Sequence, residues 1–246
     1  MTRTLVAGSV LAVLFGNALA QDSTAQASLS DYSYQLIDLD PADGIAPSIA
    51  FPINRRVAAT SVAARYGDEQ SNDEQPSTAG ELVSSSQVAG SAQAMAWFSG
   101  DTMGASGSIG EAGIYQAVGL WEAFYILSPR TKLIFTGHAT GSLGIGAPVP
   151  GQNSAAVVTV RFTPSDDGTP SLYSRILSTY NPGSGTAFDD WIQVEFVNDS
   201  SLDLISELQI SASAFAVVSV VPEPSSYLML GTGLVLAGGM LRRRRA

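Results

Sequence analysis

Trp191-Ile192-Gln193-Val194-Glu195-Phe196-Val197 alternates with a period of two: Ile192, Val194 and Phe196 fall on one face, Gln193 and Glu195 on the other. An extended chain turns successive side chains to opposite faces, so this stretch is a strand with one side in a core and one in solvent. Outward from it, runs rich in Val, Ile, Phe, Tyr and Ala recur between clusters of Gly, Pro, Asn, Asp and Ser, the pattern of strands joined by turns. Expected strands are Ser33–Leu39, Arg55–Tyr66, Gln87–Ser99, Ile109–Leu127, Lys132–Leu143, Ala155–Phe162, Tyr173–Thr179, Trp191–Asn198 and Ile210–Val220. Pro129-Arg130, Asp166-Asp167-Gly168 and Asn181-Pro182-Gly183 read as turns between them. Helical signals are weak, so the fold class is all-β: an antiparallel β-sandwich, jelly-roll-like, with a closed barrel as the alternative.

This body is expected to span residues 31–221 as one domain. Gln21–Ser30 reads as a flexible lead, and the acidic, aperiodic stretch Gly67–Glu81 as a long surface loop. No repeat at solenoid spacing is present.

Composition narrows the chemistry. Between the chain's two terminal segments there are 7 Lys and Arg against 21 Asp and Glu, a formal balance of −14. Such a body repels phosphate backbones, which excludes nucleic acid as a partner. The chain has no cysteine, so thiolate chemistry, Cys-ligated metals and disulfides are all absent. One histidine, His138, is the whole imidazole supply. With no Gly-x-Ser-x-Gly elbow beside it, His138 reads as a strand-end residue on an exposed or half-buried face, and the body as no enzyme.

Two clusters remain as candidates for chemistry. Asp38, Asp40 and Asp43, ahead of Gly44, could offer oxygens to Ca²⁺, although the spacing is not that of an EF-hand and turn chemistry accounts for every residue. Asp189 and Asp190 beside Trp191 make the best sugar-facing group, since glycoside hydrolysis needs two carboxylates about 5–10 Å apart. Trp97 and Trp121 are further aromatic platforms, yet all three tryptophans sit in strand patterns that favour the core.

The two ends of the chain carry address labels. Met1–Ala20 has Arg3, an apolar run from Leu5 to Phe15, and Ala18-Leu19-Ala20 as a small-x-small site, the pattern of a signal peptide whose removal leaves Gln21 first. At the other end, residues 222–246 hold Pro222-Glu223-Pro224, an uncharged apolar stretch from Tyr227 to Leu241, and Arg242, Arg243, Arg244 and Arg245. As a single transmembrane helix the apolar stretch reaches roughly 22 Å, short of the ~30 Å hydrocarbon core, so it spans with the arginines snorkelling into the inner headgroups. The positive-inside rule puts those arginines in the cytoplasm.

This tail resembles the PEP-CTERM sorting signal of proteins handled by exosortases, membrane-embedded transpeptidase-like enzymes of Gram-negative bacteria. The resemblance covers the tail alone and implies that Pro222, Glu223 and Pro224 are the processing signal and that an exosortase is a partner. It further implies transient anchorage in the inner membrane, then a place at the cell surface or outside it, in the company of exopolysaccharide. An ordinary tail anchor behind a proline-containing linker is the plainer alternative. Asn198-Asp199-Ser200 has the form of a glycosylation sequon and, in a bacterial export context, reads as chance.

Overall fold

The computed structural model describes residues 22–52, 56–78, 82–110, 112–145, 152–165, 169–179 and 185–219. The signal-peptide site at Ala18, Ala20 and Gln21, the Pro222-Glu223-Pro224 signal, the apolar stretch and Arg242–Arg245 lie outside these residues, as do the turns at 166–168 and 181–183. Gln21–Val221 forms one compact unit.

The described residues form strands and no helix: β1 (Ser23–Asp38), β2 (Ile49–Ala50), β3 (Arg56–Tyr66), β4 (Glu69–Thr78), β5 (Val83–Ala89), β6 (Ala92–Ser99), β7 (Thr102–Ile109), β8 (Gly113–Leu127), β9 (Thr131–Ile145), β10 (Gln152–Pro164), β11 (Ser171–Ser178), β12 (Ala187–Asn198) and β13 (Leu204–Val218). They build a six-stranded sheet in the order β12-β9-β1-β7-β6-β5 and a seven-stranded one in the order β11-β10-β13-β8-β3-β4, with β2 beside β8. Every pairing is antiparallel. The facing sides share one apolar core, giving a sandwich-like body.

The core is uneven. Toward the start of β1 it is lined by small residues, among them Ala25, Ala27, Ala94, Ala105, Ala117, Ala214 and Ala216. There the backbones come close: a Cβ on Gly119 would stand 3.0 Å from the Gly104 carbonyl oxygen and 3.1 Å from that of Trp97. At the other end rings take over, with Phe162 stacked on Phe196 at 5.8 Å and Tyr125 edge-on to both at 6.0 Å. Both long seams between the sheets are closed by polar pairs. Arg175 of β11 meets Asp190 of β12 at 3.2 Å, and the Ser71 hydroxyl of β4 donates to Gln87 of β5.

Several expected boundaries change. The lead expected over Gln21–Ser30 is, from Ser23 onward, the first half of β1, an interior strand paired with both β7 and β9. Its buried positions are Ser23, Ala25, Ala27 and Leu29, and serine and alanine carry too little hydrophobic contrast and β-propensity to announce a strand. The loop expected over Gly67–Glu81 is mostly β4. It is polar because it is an edge strand with its outer side in water, and that edge position tolerates Pro76 in the ladder opposite Ala59. Gln87–Ser99 divides into parts of β5 and β6 at Gly90, whose φ of 54° belongs to a turn. Ile109–Leu127 divides in the same way, Ile109 closing β7 before β8 begins at Gly113.

Candidate functional site

The outer face of the six-stranded sheet carries four of the side chains that the sequence marks, Trp97, His138, Asp189 and Trp191. β9 and β12 pair in a register that sets His138 directly opposite Trp191. Their rings stack at 5.0 Å between centroids and 21° between planes. His138 Nε2 lies 2.5 Å from Asp189 Oδ1, so a carboxylate fixes the imidazole and the imidazole backs the indole. Trp191 is 72 % exposed, which corrects its expected place in the core. It shares parity with Gln193 and Glu195, and β12 turns all three outward.

The carboxylate pair does not form. Asp189 and Asp190 are neighbours on one strand and therefore face opposite ways, Asp189 outward to His138 and Asp190 to Arg175 at the seam. Arg175 also lies 6.0 Å from the Phe188 ring centroid. Two carboxylates on opposite sides of a sheet cannot flank one glycosidic bond.

Trp97 is half-buried on β6 with its ring laid flat over Gly104 of β7: a Cβ there would come within 2.1 Å of the indole. Trp121 is also half-buried, and it packs against the core from β8. It helps line a cavity of about 510 Å³ at the aromatic end, together with Tyr32, Tyr34, Phe51, Phe135 and Phe162. This cavity opens where β1 runs past the end of β7 and bulges between Ser30 and Ser33, with Asp31 at φ 51°. The Tyr32 hydroxyl donates to the Gly100 carbonyl, and burial, then the nearby Asp101 charge, pushes its pKa up to about 12.

Asp38, Asp40 and Asp43 each give one oxygen to a turn. Asp38 Oδ1 accepts from the Asp40 amide at 2.9 Å, Asp40 Oδ1 from Ala42 at 3.3 Å, and Asp43 Oδ1 from Ile45 at 2.7 Å. Each is an Asx turn, and among the described residues no three metal-capable side chains converge. Asn198 of the sequon is 1 % exposed, and its amide donates to the carbonyls of Leu127, Ser128 and Leu202. That side chain pins the turn between β8 and β9 to the turn between β12 and β13.

Sequence reasoning expected His138 at a strand end on an exposed or half-buried face; it is half-buried, but it lies at the middle of β9, and the sequence did not join it to Asp189 and Trp191. Nothing local to any of the three marks the contact, because it depends on the β9–β12 register.

Residues 220–245 match the family model described as the PEP-CTERM protein-sorting motif. Neither the curated proteins nor the solved structures contain a match to this chain.

Proposed function

We propose that the chain is an exported precursor, read by an exosortase at Pro222-Glu223-Pro224 and thereafter resident in an exopolysaccharide matrix at the cell surface or beyond it. The observation that carries this reading is the sorting motif over residues 220–245, which begins two residues after β13 ends at Val218. In this reading the signal peptide brings the chain across the inner membrane and Arg242–Arg245 hold it there until the tail is processed. The body, a β-sandwich of jelly-roll-like kind, works by where it is placed rather than by turnover. The single histidine, locked between Asp189 and Trp191, and the divergence of Asp189 from Asp190 support that assignment.

A second reading, a carbohydrate-binding module delivered by the same signal, is favoured by the exposure of Trp191. It adds a ligand to the first reading without replacing the address.

Replacing Pro222, Glu223 and Pro224 together with alanine tests the address. The variant is expected to accumulate at the inner membrane with Arg242–Arg245 attached, whereas intact-mass measurement of the wild-type product should show a chain beginning at Gln21 and lacking those arginines. Release of the variant at the normal rate would reduce the motif to a linker.

A further inference from the structure

We propose that the outer face of the six-stranded sheet is a binding row for an uncharged polysaccharide chain, laid across the strands between Trp97 and Trp191. The proposal takes only its choice of ligand from the matrix reading; the site itself follows from register and chemistry.

Trp97 is paired with Gly104, Gly104 with Ser28, Ser28 with Thr140, and Thr140 with Asp189. These positions form one line across five strands, and Trp191 stands one outward position further along β12 from Asp189. With strands about 4.8 Å apart, four steps make a line of roughly 19 Å, long enough for several pyranose rings. At one end Gly104 has no side chain, so the half-buried Trp97 indole lies over its backbone. At the other end Trp191 is propped by the His138 ring, which Asp189 holds in turn. Between them the Ser28 and Thr140 hydroxyls are hydrogen-bonded to each other at 2.6 Å and keep further lone pairs for a ligand. Flat indoles with fixed hydroxyls between them match a chain of sugar rings, whose faces are apolar and whose rims carry hydroxyl groups.

Charge selects the class of chain. On β5, β6, β7 and the first half of β1 the outward positions are Ser, Thr, Gln, Gly, Val, Met and Trp, with no ionisable side chain among them. The outward ionisable groups of β9 and β12 are paired: Lys132 meets Glu195 at 2.5 Å and His138 meets Asp189. A body with a formal balance of −14 repels an acidic polymer, and the one lysine on this face, Lys132, is already neutralised by Glu195. An uncharged glycan loses nothing to either effect.

The test is affinity electrophoresis of the full chain in a detergent that carries no sugar, through gels holding a neutral glucan, a neutral galactomannan or, as the anionic probe, alginate. Retardation is expected in at least one neutral gel and not in alginate. Trp191→Ala and Trp97→Phe keep the fold testable, the first because the residue is exposed and the second because a ring still covers Gly104. Trp191→Ala is expected to weaken binding at least about tenfold, as loss of an aromatic anchor does. Ser28→Ala with Thr140→Val should weaken it further, while Leu120→Ser, on the outer face of the other sheet, should leave it unchanged. No retardation of the wild type in any neutral gel, or retardation indifferent to Trp191→Ala, overturns the proposal. So does concentration-dependent dimerisation that Trp191→Ala abolishes, because the face would then belong to a second copy. Absent binding with normal processing at Pro222–Pro224 removes the row and leaves the address standing; intact binding with normal release of the alanine variant does the reverse.

Discussion

The two ends of the core solve the same problem with opposite materials. Where Ala25, Ala27, Ala105 and Ala117 face one another, the sheets approach until the Gly104 and Trp97 carbonyl oxygens leave no room for a side chain on Gly119. Where Tyr125, Phe135, Phe162 and Phe196 meet, rings hold the sheets apart and leave a cavity of about 510 Å³. Packing by small residues permits no adjustment, because backbone rather than side chain is in contact. Packing by rings fills space from one side chain at a time, and so depends on each of them. The close-packed end lies under Gly104, which gives the Trp97 ring a firm, flat bed; the ring-packed end lies beside the opening that Tyr32 and Tyr34 border.

Truncation should hurt the ring end most. Phe162→Ala removes contacts with Tyr125, Phe135 and Phe196 at once and is expected to cost ~3–5 kcal/mol in urea unfolding. A loss below about 1 kcal/mol would mean that the rings are not what separates the sheets.

Enlargement should hurt the small-residue end. Gly119→Ala presses a methyl group against two backbone oxygens and is expected to cost ~1–3 kcal/mol, where the same methyl on Gly144 meets the Thr24 hydroxyl group, which can rotate away. Equal stabilities for the two variants would erase the distinction between close and loose packing.

The smallest effect is one of pH. Tyr32 is raised to about 12, and burial drives Tyr125 at the ring end and Tyr115 at the small-residue end in the same direction. A tyrosine with a raised folded pKa holds its proton longer than in the unfolded chain, so its contribution is complete below the unfolded value near ~10 and is lost as pH rises through the folded one. Melting temperature should therefore fall above about pH 10, with tyrosinate absorbance lagging until unfolding. Full tyrosinate absorbance before any loss of structure would place these hydroxyls in water.

Much of this architecture could be read before any fold was known, and the gaps have physical causes. The alternation of Ile192, Val194 and Phe196 gave β12 its inward face, and the same parity already put Trp191 with Gln193 and Glu195; the size of the indole outweighed its position in the pattern. The opening of β1 went unread because its core face is serine and alanine up to Leu29, and β4 because an edge strand is free to be polar on both sides. The Pro129–Arg130 turn was legible, and Arg130 takes the positive φ of 48° that such a turn needs. The row from Trp97 to Asp189 was beyond reach, since its members come from five strands and meet only through register. The sorting motif at residues 220–245 was legible because it is written in linear order.

The position of β13 bears on how the body would carry a load. It runs through the middle of its sheet, paired with β8 from Leu204 to Val218 and with β10 from Ser206 to Val218. Ladder hydrogen bonds lie perpendicular to the strands, so tension applied beyond Val218 pulls along β13 and strains both ladders together in shear. An edge strand drawn sideways would yield one bond at a time. A pull along β13 would therefore be met by two ladders at once.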